Sequence, residues 1–166
     1  MFTDEARFGR MNRIRRCWAP IGTRPEVAAQ LIRIYLYGAV SPKDGTCVYL
    51  IMPTSNTASF QVFLDVLARK FARQDILLVL DGAPNHRCGN LAVPDNITLL
   101  YLPPYSPELN PTENIWDEIR EKIFKNYALK SMGGVRAKLR QAILYIERNP
   151  NLVRSITSFP YIVNSL

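Results

Sequence analysis

Apolar positions recur along this chain with two periods. Leu31–Val40 (LIRIYLYGAV) is rich in β-branched and aromatic residues, and Thr46–Met52 (TCVYLIM) repeats that character after the turn Ser41-Pro42-Lys43-Asp44-Gly45. The two segments read as a hairpin that stops at Pro53. Ser55 or Asn56 then caps a helix in which Phe60, Phe63, Leu64, Leu67 and Phe71 follow at helical spacing, with Arg69, Lys70 and Arg73 near its end. Ile76–Leu80 is an uninterrupted apolar run that stops at Asp81-Gly82, the pattern of a central strand buried on both faces. Asn96–Leu102 is a further strand, and the run from Pro103 to Pro107 forms a stiff, extended loop. Asn110-Pro111 opens a helix that runs to about Asn126 and buries Ile115, Trp116, Ile119 and Ile123. Ser131 to about Arg148 is a last amphipathic helix with Val135, Leu139, Ile143 and Ile146 inward, and the tail beyond it has no clear pattern. At the front, Met1–Asp4 reads as the end of a short strand, before an Arg-rich stretch to Arg24 broken by turn signals at Trp18-Ala19-Pro20 and Gly22. A hairpin followed by strand–helix–strand units predicts an α/β fold, a mixed five-stranded sheet flanked by helices.

The length, 166 residues, suits a single domain, with about 1–126 as its core and 127–166 as a helical extension. No window resembles a membrane span, and the N-terminus lacks the apolar core of a signal peptide, so a cytoplasmic protein is expected. Charge sharpens this picture. The net charge of +7 divides into +4 over residues 1–24, −4 over 25–121 and +7 over 122–166. Basic flanks around an acidic middle suit a protein that grips a polyanion and presents carboxylates to it through metal ions. Cys17, Cys47 and Cys88 are widely spaced and read as reduced thiols. His86 and Cys88 make a poor zinc set, because a tetrahedral site needs partners that this chain does not supply nearby.

Asp81 ends an apolar strand and is followed by Gly82, which delivers a carboxylate to the C-terminal edge of a sheet, where ligand sites of open α/β folds concentrate. An Asp-Gly turn explains the same residues without function. Asp4 has a similar form, and the adjacent Glu5 points to the opposite face if the strand continues. Glu113 has a structural rival role, since Asn110-x-x-Glu113 has capping-box spacing, and Asp117 is an alternative acid one turn later. Carboxylates converging from separate elements are what two-ion phosphodiester chemistry requires, and magnesium prefers oxygen ligands.

Four blocks in order carry a resemblance: Asp4-Glu5-Ala6-x-Phe8, Trp18-Ala19-Pro20-x-Gly22, Leu80-Asp81-Gly82-Ala83-Pro84-Asn85-His86, and the long run from Leu102 to Trp116 (LPPYSPELNPTENIW). Over residues 3–126 the chain resembles DDE transposases of the mariner superfamily, in the bacterial insertion-sequence 630 group. The resemblance implies a ribonuclease H-like fold. It also implies catalytic and metal-ligating roles for Asp4, Asp81 and Glu113, with two Mg2+ or Mn2+ ions. The implied reaction is cleavage at transposon ends followed by strand transfer into target DNA. Asn85, His86 and Asn110 are expected near the site, touching phosphate or orienting the acids. Arg13, Arg15 and Arg16 are expected on DNA, together with the basic helix that carries Arg136, Lys138 and Arg140. DNA is the implied partner, with a homodimer and a separate DNA-binding subunit or upstream reading-frame product as further expectations. The family's N-terminal helix-turn-helix region has no counterpart in these residues. Two other readings stay open at this point: a regulatory fragment that binds DNA or full-length transposase without cutting, and another ribonuclease H-like nuclease.

Overall fold

The structure is a computed structural model that describes residues 1–10, 20, 22, 32–124 and 131–164. It is built on five strands: β1 (Phe2–Arg10), β2 (Ile32–Val40), β3 (Cys47–Met52), β4 (Ile76–Leu80) and β5 (Ile97–Tyr101). Helices α1 (Thr57–Lys70), α2 (Thr112–Lys122), α3 (Met132–Glu147), α4 (Pro150–Thr157) and α5 (Pro160–Val163) complete it. The sheet order is β3-β2-β1-β4-β5. The first three strands form an antiparallel meander, while β4 runs parallel to β1 and β5 parallel to β4. Among the described residues no helix is long and apolar enough to cross a membrane.

Alternation along the central strand divides the core in two. Ala6 and Phe8 of β1 join Ile34 and Leu36 of β2, and α2, α3 and α4 close over them with Ile115, Trp116, Ile119, Val135, Leu139, Ile146 and Val153. On the other face, α1 lays Phe60, Phe63, Leu64 and Leu67 against Tyr37, Ala39, Leu78 and Leu80. The helix α1 begins where expected, because the Asn56 side chain accepts a hydrogen bond from the Ser59 amide at 2.9 Å. Ser131 caps α3 in the same way, through the Gly134 amide.

Four expectations need correction. The strand β1 does not end at Asp4; it continues to Arg10, paired residue for residue with β2 down to Arg10 opposite Ile32. The alternation of Ala6, Phe8 and the polar positions between them sustains it, because the even positions bury against the α2 side of the sheet. Second, β4 is not buried along its whole length, since Leu77 is 52% exposed on the face that α1 does not cover. Third, Asn110 stands one residue outside the cap position of α2, which Pro111 holds, although its Oδ1 still accepts from the first helical amide, that of Thr112, at 3.1 Å. Fourth, the tail contains α4 and α5. Asn149-Pro150 and Phe159-Pro160 place proline at the first helical position of each, a start signal that needs no long apolar period. Asn126 and the other residues of 125–130 lie outside the described residues.

Close packing between β2 and α2 is set at Gly38. A Cβ there would lie 2.6 Å from Cη2 of Trp116 and 2.8 Å from Cε1 of Tyr49. Gly38→Ala is therefore expected to push the fully buried indole outward and to cost about 1–3 kcal/mol, as overpacked cores do. Urea denaturation of the two proteins measures it, and an unchanged midpoint would show that the indole yields freely.

Candidate active site

The parallel pairing of β1 and β4 brings the first two acids together. Phe2 pairs with Val79, so counting two residues further along each strand sets Asp4 beside Asp81. Beyond that point β4 has ended, and β1 continues with β2 alone. The sheet opens there, at the C-terminal end of a parallel strand, the position at which α/β folds build ligand sites. Asp4, Asp81 and Glu113 line one pocket of about 450 Å3 together with Gly82, Ala83, Pro84, Arg87, Asn110 and the loop from Leu102 to Pro107. That volume suits a phosphodiester and its neighbours rather than a whole duplex.

Each acid is fixed differently. Asp4 lies on the α2 side of β1, and Oδ2 accepts a hydrogen bond from Nε1–H of Trp116 at 2.7 Å. Burial pushes its carboxyl up to about 6; the Trp116 bond works against that shift and the charge of Glu113 adds to it. Asp81 turns away at the end of β4, and its Oδ1 accepts from the Ala83 amide at 3.1 Å and faces Nδ1 of His86 at 2.7 Å. The His86 bond holds its carboxyl below the usual range, against the opposing effect of burial. Glu113 sits in the first turn of α2, where the helix dipole favours an anion. Burial raises its carboxyl, Arg120 opposes this, and Asp117 and Asp81 raise it further.

Asn110 joins the elements that carry two of these acids. It is 4% exposed, its Nδ2 donates to the Thr3 carbonyl at 3.0 Å, and its Oδ1 accepts from the Thr112 amide at 3.1 Å. It thereby ties the strand of Asp4 to the helix of Glu113, and both ends of its amide are spent on backbone.

His86 is placed away from any phosphate, being 1% exposed. Its Nε2 lies 2.8 Å from Oε1 of Glu5, and its ring lies 4.4 Å from that of Phe60. Burial would lower its pKa, yet hydrogen bonds and charge from Asp81 and Glu5 overcome this and lift it to about 10. Asn85 is partly buried beside the same Glu5 oxygen, at 3.5 Å. Arg13, Arg15 and Arg16 lie outside the described residues.

The fold also supplies groups that sequence reading passed over. Arg87 is exposed on the pocket lining, its guanidinium 4.7 Å above the ring of Tyr101. Tyr105 is 100% exposed at the rim with φ +58°, held between prolines 103, 104 and 107. Trp116 reads from sequence as core alone, because helical spacing does not show where an indole N–H points. Glu5 was legible only as a residue on the far face of β1.

Oxygen donors of this kind suit a hard divalent cation. Burial and mutual repulsion hold Asp4 and Glu113 above their ordinary range, a strain that a cation relieves. Among the described residues no three such side chains stand close enough together to enclose one ion.

Comparison with known proteins follows the same line. The family model described as DDE superfamily endonuclease matches residues 1–135. The uncharacterized protein y4pE/y4sA of Sinorhizobium fredii (strain NBRC 101917 / NGR234) is 42% identical over 99 residues, spanning 56% of this chain and 73% of that one. The catalytic domain of Mos1 mariner transposase superposes with a TM-score of 0.59 at 16% identity, over 99% of this chain and 80% of that one. A pre-cleavage Mos1 transpososome gives 0.61 at 18% identity, over 99% and 54%. The Mos1 paired end complex with Mn gives 0.59 at 18%, over 94% and 52%. The fold is thus ribonuclease H-like, and the chain spans about half the length of the Mos1 chains in those complexes.

Trp116→Phe removes the donor to Asp4 and leaves an aromatic ring in the core. The folded Asp4 already binds its proton more tightly than an unfolded Asp, so its contribution to stability is present at low pH and lost as pH rises through about 6. Without the indole N–H this loss deepens. The stability deficit of the variant should be larger at pH 8 than at pH 5, by about 1–3 kcal/mol. Denaturant melts at the two pH values measure it, and equal deficits would mean that the bond does not support the charged form.

Proposed function

The chain belongs to the DDE superfamily endonucleases, and from that premise we propose that it is the catalytic domain of a transposase, cutting DNA at the ends of a mobile element and joining the freed 3′-hydroxyl to target DNA. The observation that carries the proposal is the convergence of Asp4, Asp81 and Glu113, from two strands and a helix, on one pocket.

In this reading the three acids hold Mg2+ or Mn2+, and the bound ions supply an activated oxygen nucleophile and a stabilised leaving oxygen. The protein's own groups prepare that site. Trp116 fixes one oxygen of Asp4, His86 and the Ala83 amide fix one oxygen of Asp81, and Asn110 sets the helix of Glu113 against β1. Arg87 is placed to meet a phosphate, and the proline-rich loop forms one wall of the pocket. DNA is the substrate, recognition of the transposon ends falls to residues or a subunit outside this domain, and two copies act together.

The test is plasmid nicking with Mg2+ or Mn2+ and with a chelator. Metal-dependent nicking is expected, falling to background in Asp81→Asn and in the chelator. Absence of nicking by a folded wild type would favour the non-cutting regulatory reading, which the half-length match to Mos1 keeps in view.

Arg87→Ala is expected to weaken DNA binding alike across sequences. It should also reduce the slope of log affinity against log salt by about one, as loss of a single phosphate contact does. A salt titration of binding reads this directly, and an unchanged slope would remove Arg87 from the phosphate contacts.

A further inference from the structure

We propose that Glu5, which stands outside the acid triad, is a positioning residue: its carboxylate holds His86, and His86 holds one oxygen of Asp81, so that Glu5 fixes which oxygen of Asp81 faces the pocket. The inference rests on the nuclease reading and names a part of its machinery.

Neighbours on one strand face opposite ways, so Asp4 serves the α2 side and Glu5 reaches to the α1 side. There its Oε1 meets Nε2 of His86 at 2.8 Å, and on the other edge of the same ring Nδ1 meets Oδ1 of Asp81 at 2.7 Å. The two ring nitrogens point in divergent directions, so one imidazole spans from β1 to the residue that follows β4. The ring has little freedom. It lies against Phe60, and the His86 carbonyl accepts from the Tyr101 hydroxyl at 2.8 Å. The side chains of Glu5 and His86 are 10% and 1% exposed, while that of Asp81 is 56% exposed. Asp81 is therefore the exposed end of the chain of bonds and Glu5 its buried end. Oδ1 of Asp81 is engaged by His86 and the Ala83 amide, which leaves Oδ2 as the oxygen for the pocket. Removing Glu5 leaves a buried ring N–H without its acceptor and lets the imidazole turn. Carboxylate–histidine pairs that orient a metal ligand typically change metal affinity about 10–100-fold when broken.

The experiment compares wild type, Glu5→Ala and Glu5→Gln. His86 is the chain's sole histidine, so a ring 1H–15N spectrum at one fixed pH reads it without assignment. Wild type should show a downfield Nδ1 proton that Glu5→Ala loses. Glu5→Ala should bind Mn2+ about 10–100-fold more weakly by electron paramagnetic resonance, and its kcat for nicking should fall with KM for DNA unchanged. Glu5→Gln, whose amide oxygen still accepts, should recover the Nδ1 signal and most of the Mn2+ affinity. If Glu5→Ala does not fold, Glu5→Asp, one methylene too short to reach the ring, is read by the same signals. A Glu5→Ala or Glu5→Asp protein with the wild-type Nδ1 proton and wild-type Mn2+ affinity overturns this role alone. A wild type that binds no Mn2+ overturns the nuclease reading and this role with it.

Discussion

The register of β1 against β4 decides where acids can meet in this fold. Pairing Phe2 with Val79 puts Asp4 beside Asp81 just as β4 ends and β1 goes on. A shift of one residue would carry Asp4 to the opposite face and into the α1 core, because side chains alternate with a period of two. The register is held from several directions. The Met1 ammonium donates to the Leu77 carbonyl, the Val79 amide donates to the Met1 carbonyl, and nine pairs lock β1 to β2. The apolar residues Ala6 and Phe8 then commit the strand's even positions to the α2 side.

Acids gathered in this way repel one another and lose hydration, and the surrounding residues answer that cost unequally. Asp81 is stabilised in its charged form by His86, whereas Asp4 keeps a raised pKa despite the Trp116 bond. One carboxylate of the adjacent pair thus favours ionisation and the other resists it, a division that environment imposes on chemically identical side chains. His86 bridges Glu5 and Asp81 within this acidic group, and its burial keeps it an internal link. The exposed groups on the pocket are instead Arg87 and the rim residue Tyr105.

Sequence reading succeeded where a single period or a local cap governs structure. The hairpin, the Asn56 cap, the run ending at Asp81 and the inward faces of α2 and α3 are all of this kind. It fell short where tertiary pairing decides. The polar residues after Asp4 suggested that the strand ends there, because half of the pattern was supplied by a partner strand and by packing on α2. The spacing Asn110-x-x-Glu113 suggested a capping pair, yet only the Asn110 oxygen serves the start of α2, through the Thr112 amide, while its Nδ2 donates to Thr3, 107 positions away. The acids themselves were identified through motif resemblance. Their shared pocket depended on register, and the links from Glu5 to His86 and from Trp116 to Asp4 depended on side-chain direction. None of these is encoded in composition or local spacing.

The C-terminal helices bear on the site, although they add no acid to the pocket. Glu113 is placed by α2, and α2 is held from outside by the tail: Asn114 donates to the Ile156 carbonyl at 2.7 Å, the Tyr145 hydroxyl donates to Glu118 at 2.8 Å, and Tyr161 donates to the Leu109 carbonyl just before the helix begins. Val135, Leu139 and Val153 pack in the core cluster that contains Trp116, the donor to Asp4. The family match stops at residue 135, yet the position of two of the three acids depends on contacts made as far along as residue 161. The motif-bearing part of the chain therefore supplies the three acids of the pocket, while the less patterned tail braces the helix that carries Glu113.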